Sequence, residues 1–162
     1  MITDFKEMMW LQFGAAIDML ENAVSHCPVE VWTGKTMFWY KTYHTTFYLD
    51  YYLSYDPDTF APPSPFTLSE FESGALPEKV YSKEELLGYI QFARKKCHDV
   101  CAGLTEESAK KRFINKSRDY SMLEMLVYNL RHVQHHVGQL NMVLRQETNN
   151  APGWVSRTEK TP

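Results

Sequence analysis

Apolar side chains recur at helical spacing along four stretches of the chain. From about Thr3 to Ser25, Phe5, Met8, Met9, Leu11, Phe13, Ala16, Met19, Leu20 and Ala23 fit one face of a helix. Pro28, which cannot continue a helix, closes it. From about Lys35 to Ser54, "KTMFWYKTYHTTFYLDYYLS" is aromatic and β-branched enough for its propensities to favour a strand. A run of this length without a turn residue exceeds the usual strand, so a helix capped by Thr33 or Gly34 is predicted. Ser82 and Glu85 form a capping box that opens a third helix, and Gly103 lies near its end. The fourth helix starts near Ser121, with Glu124 at the capping-box offset, and runs to about Glu147, where "TNNAPG" stops it. Within it, Leu123, Leu126, Leu130, Val133, Val137, Leu140 and Leu144 alternate in steps of three and four, the apolar seam of a bundle helix.

Between Tyr55 and Ser82, Pro57, Pro62, Pro63, Pro65, Gly74 and Pro77 forbid regular structure for most of the segment. The interleaved Phe60, Phe66, Leu68, Phe71, Leu76 and Tyr81 predict a connection packed down over the rest of the protein. Four long helices, no convincing strand and one long crossover between the second and third make an all-α four-helix bundle. A chain of 162 residues suits a single domain over 1–162, large enough to bury a core without disulfides.

Charge and composition remove several function classes. The formal net charge is -3, and the basic residues are scattered apart from Arg94-Lys95-Lys96 and Lys110-Lys111-Arg112. These two clusters are expected on solvent-facing helix turns, and neither makes the concentrated basic face that nucleic acid requires. Asp4, Glu7 and Asp18 interrupt the amino-terminal segment, which lacks the pattern of a signal peptide. No stretch approaches the ~18 apolar residues of a membrane span. A cytoplasmic protein with neither nucleic-acid nor membrane partners is expected, and its three cysteines should be reduced.

Candidate chemistry concentrates in "RHVQHHVGQL", from Arg131 to Leu140. At about 100° of rotation per residue, His136 falls roughly 90° and His132 roughly 130° from the centre of the seam, on the same side, while His135 lies nearly opposite. Met122, Met125, Asn129 and Val143 share the flank of His132 and His136, so the buried arc widens there and His135 is left exposed. Four residues apart, His132 and His136 stack one turn above the other and can aim at a common point, the geometry of H-x-x-x-H zinc sites.

A third ligand must come from elsewhere. His44 is the best candidate, because it shares an aromatic face with Tyr40, Phe47, Tyr48 and Tyr51 where its ring nitrogens need partners. The alternative is a core histidine hydrogen-bonded to a tyrosine. Gly138, inside a helix, is expected to mark close packing or ligand approach. Cys97, His98 and Cys101 form a rival ligand set, although buried cysteine more often packs as a small apolar group.

A histidine midway along the second helix, a long crossover and "HVQHHVGQL" late in the fourth resemble the DinB-like family of four-helix-bundle metalloproteins. The likeness extends to "LPEKVYSKEELLGY" at the third helix and to the tail "APGWVSR". It implies a metal triad of His44, His132 and His136, with His135 outside it, and a divalent zinc or nickel ion. It also implies kinship with transferases that use bacillithiol, mycothiol or glutathione.

Three neutral imidazoles would leave the ion's charge uncompensated and a coordination position open, as in catalytic zinc sites. The leading expectation is a metal-dependent transferase that activates a low-molecular-weight thiol against a small electrophile. A hydrolase activating water needs the same triad, but Val133 and Gln134 stand where other zinc enzymes carry a base. The reading from another class is a non-catalytic bundle that dimerises through aromatic or methionine faces. Asn129 and Gln139 are expected to orient the ligands, and Trp154 and Arg157 to line the mouth of the site if the tail folds back. The partners expected are a small-molecule substrate and a second copy of the chain. Ligand histidines must be neutral, so metal should leave below roughly pH 6.

Overall fold

The computed structural model describes residues 2–161. Its long helices are α1 (Ile2–His26), α3 (Phe38–Tyr51), α4 (Lys83–Gly103) and α6 (Met122–Thr148), with a short α2 (Val29–Trp32) and α5 (Glu106–Lys110) in the connections. α1 packs along α4 and α6, and α3 packs along the same two helices, which puts α3 across the bundle from α1. Phe13, Ile17 and Leu20 of α1 meet Phe47 and Leu49 of α3, Leu86 and Ile90 of α4, and Leu126, Val133, Val137, Leu140 and Leu144 of α6 in one fully buried core. The all-α bundle is therefore as the apolar pattern predicts. Among the described residues no helix is long and apolar enough to cross a membrane.

The boundaries differ where local chemistry overrides periodicity. α3 starts at Phe38, later than Lys35, and its cap is Met37 in the left-handed region at φ 51°, not Thr33 or Gly34. The chain doubles back after α2, where a Cβ on Gly34 would stand only 3.0 Å from the carbonyl oxygen of Glu30. The third helix has its full Ser82–Glu85 capping box, and Ser121 Oγ accepts the Glu124 N–H at 3.2 Å at the start of α6. Leu123 is 37 % exposed and leaves the seam, because the first turn of α6 buries Met122 and Met125 instead. In the crossover, Phe66 and Tyr81 are buried as expected, whereas Leu68, Phe71 and Leu76 keep substantial exposure.

Two strands were not expected. β1 (Arg112–Ile114) and β2 (Asp119–Ser121) form an antiparallel hairpin with Phe113 opposite Tyr120, and Phe113 is fully buried. The Asn115 side chain organises the turn by accepting the N–H groups of Ser117 and Arg118. Arg112 thus lies on a strand, where it binds Asp119, and not on a helix turn.

In the other basic cluster Lys95 faces solvent as expected and pairs with Asp99, but its two neighbours do not. Arg94 is 1 % exposed and donates to Asp18 at 2.7 Å and to Glu21 at 3.0 Å, tying α4 to α1. Lys96 donates to the fully buried Asp50 of α3 at 2.6 Å, and Tyr89 donates to the other Asp50 oxygen at 3.0 Å. Arg94 and Lys96, which read as surface decoration, are thus cross-ties between helices, each met directly by an acid.

The tail lies along α1. The Thr158 N–H donates to the Leu11 carbonyl at 3.1 Å, and Lys160 reaches Glu21 at 3.0 Å. Gly14 admits this contact, since a Cβ there would overlap Thr158 Cγ2 and stand 2.9 Å from its Cβ. Alanine is favoured over glycine in a helix by about 1 kcal/mol. Gly14→Ala should nevertheless lower the thermal midpoint followed by circular dichroism, and should raise it in a Thr158→Gly background. A rise in both backgrounds would mean that the tail does not pack on α1.

Candidate metal centre

The register between α3 and α6 brings the histidines together. α3 ends in a tightened turn in which Leu53 N–H donates to Asp50, so the carbonyl of Leu49 is left without a helical partner. Asn129 Nδ2, fully buried on α6, donates to that carbonyl at 2.9 Å. Five residues back along α3 is His44, and five forward along α6 is the midpoint of His132 and His136. At 1.5 Å per residue both lie roughly 7.5 Å from the Asn129 bond, so antiparallel helices set His44 level with the gap between the other two.

His44, His132 and His136 each offer a ring nitrogen, and these atoms lie within 4.8 Å of one another, a group able to hold a metal ion. Ring centroids are 4.5 Å apart for His132 and His136, 4.8 Å for His44 and His136, and 5.6 Å for His44 and His132. His44 Nδ1–H donates to Glu70 Oε2 at 2.7 Å, which leaves its Nε2 lone pair free. His136 Nδ1–H donates to Gln139 Oε1 at 2.8 Å with the same result, and Gln139 Nε2 donates in turn to His135 at 3.2 Å. The Nδ1 atom of His132 is buried and meets no partner among the described residues.

Glu70 escaped the sequence reading. It lies in a short 3-10 turn, Ser69–Phe71, within the crossover, and its side chain is only 3 % exposed. α3 holds that turn in place: Tyr43 donates to the Thr67 carbonyl at 2.7 Å and Tyr48 donates to the Glu70 carbonyl at 3.1 Å. Glu70 is one of five acids between Tyr55 and Ser82, with Asp56, Asp58, Glu72 and Glu78, and no spacing singles it out or connects it with His44.

Burial depresses the basicity of the centre. Desolvation pushes the His132 imidazole down to about 3, helped by the proximity of His136 and His44. His136 is also lowered by desolvation, opposed by its bond to Gln139. Tyr48 and Tyr52 place their rings 5.8 Å and 5.7 Å from that of His132 and contribute to the burial. His132 also helps form the wall of a surface cleft of about 540 Å³, with Tyr128, Arg131 and His135.

The model of the DinB superfamily matches residues 12–140 of the chain, a span that includes all three histidines. The chain belongs to the DinB superfamily. Searches with it found no match among curated proteins or solved structures.

Within this DinB protein the remaining candidates separate. His135 is exposed, as its helical phase predicts, and Gln139 lies against His136. Asn129 touches the backbone of α3 and positions the helices instead of bonding to an imidazole. Trp154 is 70 % exposed and, with Arg157, lines a groove beside Asp18 and Asn22 of α1, so the tail does not form the mouth of the histidine site. Gly138 is no close-approach point, because a Cβ there would meet nothing within 4 Å outside its own helix. The tight glycine is Gly14. Cys27, Cys97 and Cys101 are buried free thiols; burial raises Cys97 well above its ordinary range, and His98 sits edge-on to Trp10. His44, His132 and His136 are the one such ligand group found among the described residues.

The lowered basicity has a defined sign. The unfolded chain takes up protons at an ordinary histidine pKa near 6.5, while folded His132 and His136 resist them. The unfolded state thus binds more protons below that value, and the metal-free protein should lose stability as pH falls through it. Denaturant unfolding at a series of pH values checks this, as do His132 ring resonances that stay unshifted between about pH 8 and 5. A normal titration of His132 would remove the buried, neutral description.

Proposed function

We propose that His44, His132 and His136 hold a divalent transition metal ion, zinc or nickel, and that the centre activates a low-molecular-weight thiol for transfer to a small electrophile. The observation that carries this reading is the convergence within 4.8 Å of three imidazole nitrogens from two helices, two of the rings having depressed basicity. Neutral nitrogen donors without a carboxylate among them fit zinc or nickel better than the oxygen-preferring magnesium or calcium. An ion held by three neutral ligands supplies a Lewis acid with an open position, able to lower the pKa of a thiol.

The chain's own residues prepare the site for that task. Glu70 and Gln139 fix the tautomers of His44 and His136, so that the free lone pairs point away from those bonds. Tyr48 and Tyr52 keep water from one side of His132. The cleft beside His132 is of a size that suits a small molecule. In the reaction the sulfur attacks the electrophilic carbon, a carbon–sulfur bond forms, the leaving group departs with its electron pair and the thiol proton goes to solvent. No step calls for a protein acid. This favours thiol transfer over hydrolysis, because Glu70, the carboxylate at the triad, is engaged by His44 and is almost fully covered.

Purified untagged protein should contain close to one equivalent of transition metal by mass spectrometry, and His136→Ala should lose it. Less than about a tenth of an equivalent after soaking in zinc or nickel would remove the metal centre. With metal bound, a panel of thiols should react with monobromobimane faster than the uncatalysed background; failure with every thiol would leave hydrolysis or a non-catalytic role. Glu70→Ala should weaken metal binding by about 10–100-fold in competition with a chromophoric chelator, since it removes the group that orients His44.

A further inference from the structure

Arg118 is a built-in cation without an acid. Arg94 is neutralised by Asp18 and Glu21, and Arg112 by Asp119. No carboxylate stands within ion-pair distance of Arg118 among the described residues. Its guanidinium is nevertheless fixed. Nη2 donates to the Tyr128 hydroxyl at 2.7 Å and Nη1 to Ser117 Oγ at 3.2 Å, while Cζ lies 5.0 Å from the Tyr128 ring and 5.3 Å from the Tyr52 ring. The hairpin turn that presents it is braced by Asn115, whose side chain accepts the Arg118 N–H at 2.9 Å. Of the five N–H donors on a guanidinium, these bonds use two, and the planar group is already immobilised.

What this cation faces is a cleft of about 430 Å³ that also has Tyr48 and Glu70 in its wall. Glu70 bonds to His44, the Tyr48 ring lies 4.9 Å from that of His44, and the Tyr52 ring that lies near Arg118 is 5.7 Å from that of His132. The cleft and the histidine centre therefore share walls. We propose that Arg118 receives the carboxylate of the small-molecule substrate in this cleft, a role that rests on the reading of the histidines as a reaction centre. A single planar fork matches the two oxygens of a carboxylate. The acids Asp58 and Glu70 in the same wall disfavour a doubly charged phosphate, and Lys116 adds one positive charge nearby.

The test compares two thiols of equal length, 3-mercaptopropionate and 3-mercapto-1-propanol, in conjugation to monobromobimane by the zinc-loaded protein. Wild type should prefer the carboxylate, and Arg118→Gln should cut the ratio of the two kcat/KM values by about ten-fold, the worth of a charge-assisted fork reduced by solvent at a half-exposed site. Arg118→Lys, which keeps the charge over the tyrosine rings, should recover part of the ratio and carries the test if the glutamine variant is unfolded by circular dichroism. Independently of any reaction, propionate added to the metal-free protein should shift the Arg118 Nε–H resonance saturably, and propanol should not. If neither thiol is conjugated but propionate still titrates that resonance, the transfer reading falls and the carboxylate site stands. An unchanged ratio in both variants, or a resonance that propionate leaves unmoved, overturns the proposal.

Discussion

The hydrogen bond from Asn129 to the carbonyl of Leu49 is the constraint on which the histidine centre depends. An apolar seam alone sets which faces of two helices meet, but it tolerates sliding along the axes because one leucine can replace another. A buried amide opposite a helix-end carbonyl does not tolerate it, since a shifted register would leave both groups desolvated and unpaired. With that bond in place His44 is level with the gap between His132 and His136. One polar contact thereby converts two amphipathic helices into a defined three-nitrogen constellation.

Charge is handled in opposite ways in two parts of the bundle. Along α4, buried Arg94 and half-buried Lys96 are met directly by Asp18, Glu21 and Asp50, so helices are joined by cations and anions cancelled in place. Around His132 and His136 the reverse holds: aromatic rings pack against His132, and proton uptake by both rings is opposed by desolvation. Glu70 is the carboxylate at the triad, and it is committed to the far nitrogen of His44 and does not point at the common centre. The first region ties helices together, while the second resists protonation of His132 and His136.

The parts legible in sequence were those governed by local repetition. The phase of His132 and His136 against the seam of α6 follows from a fixed rotation per residue, and so does the exposure of His135. The buried flank of Met122, Met125 and Asn129 came from the same reasoning. Across the bundle, periodicity could nominate His44 but not align it, and the family resemblance supplied that link. Glu70 and Arg118 were invisible because their segments have no period: the crossover is broken by prolines, and the hairpin strands are three residues each. Arg94 was misread as a surface charge because a cluster of basic residues reads the same whether or not acids on another helix meet it.

The crossover turn at Ser69–Phe71 gives the site two levels of construction. The nitrogens belong to the rigid bundle, whose register cannot change without repacking the core. The carboxylate that sets the tautomer of His44 belongs to a loop held down by tyrosine hydroxyls and by phenylalanine rings packed on α3. Lengthening or re-spacing that loop would alter the electron-donating strength of one imidazole while leaving all three in position. The donor strength of one imidazole can therefore drift independently of assembly, with no alteration to the helices that hold the three nitrogens.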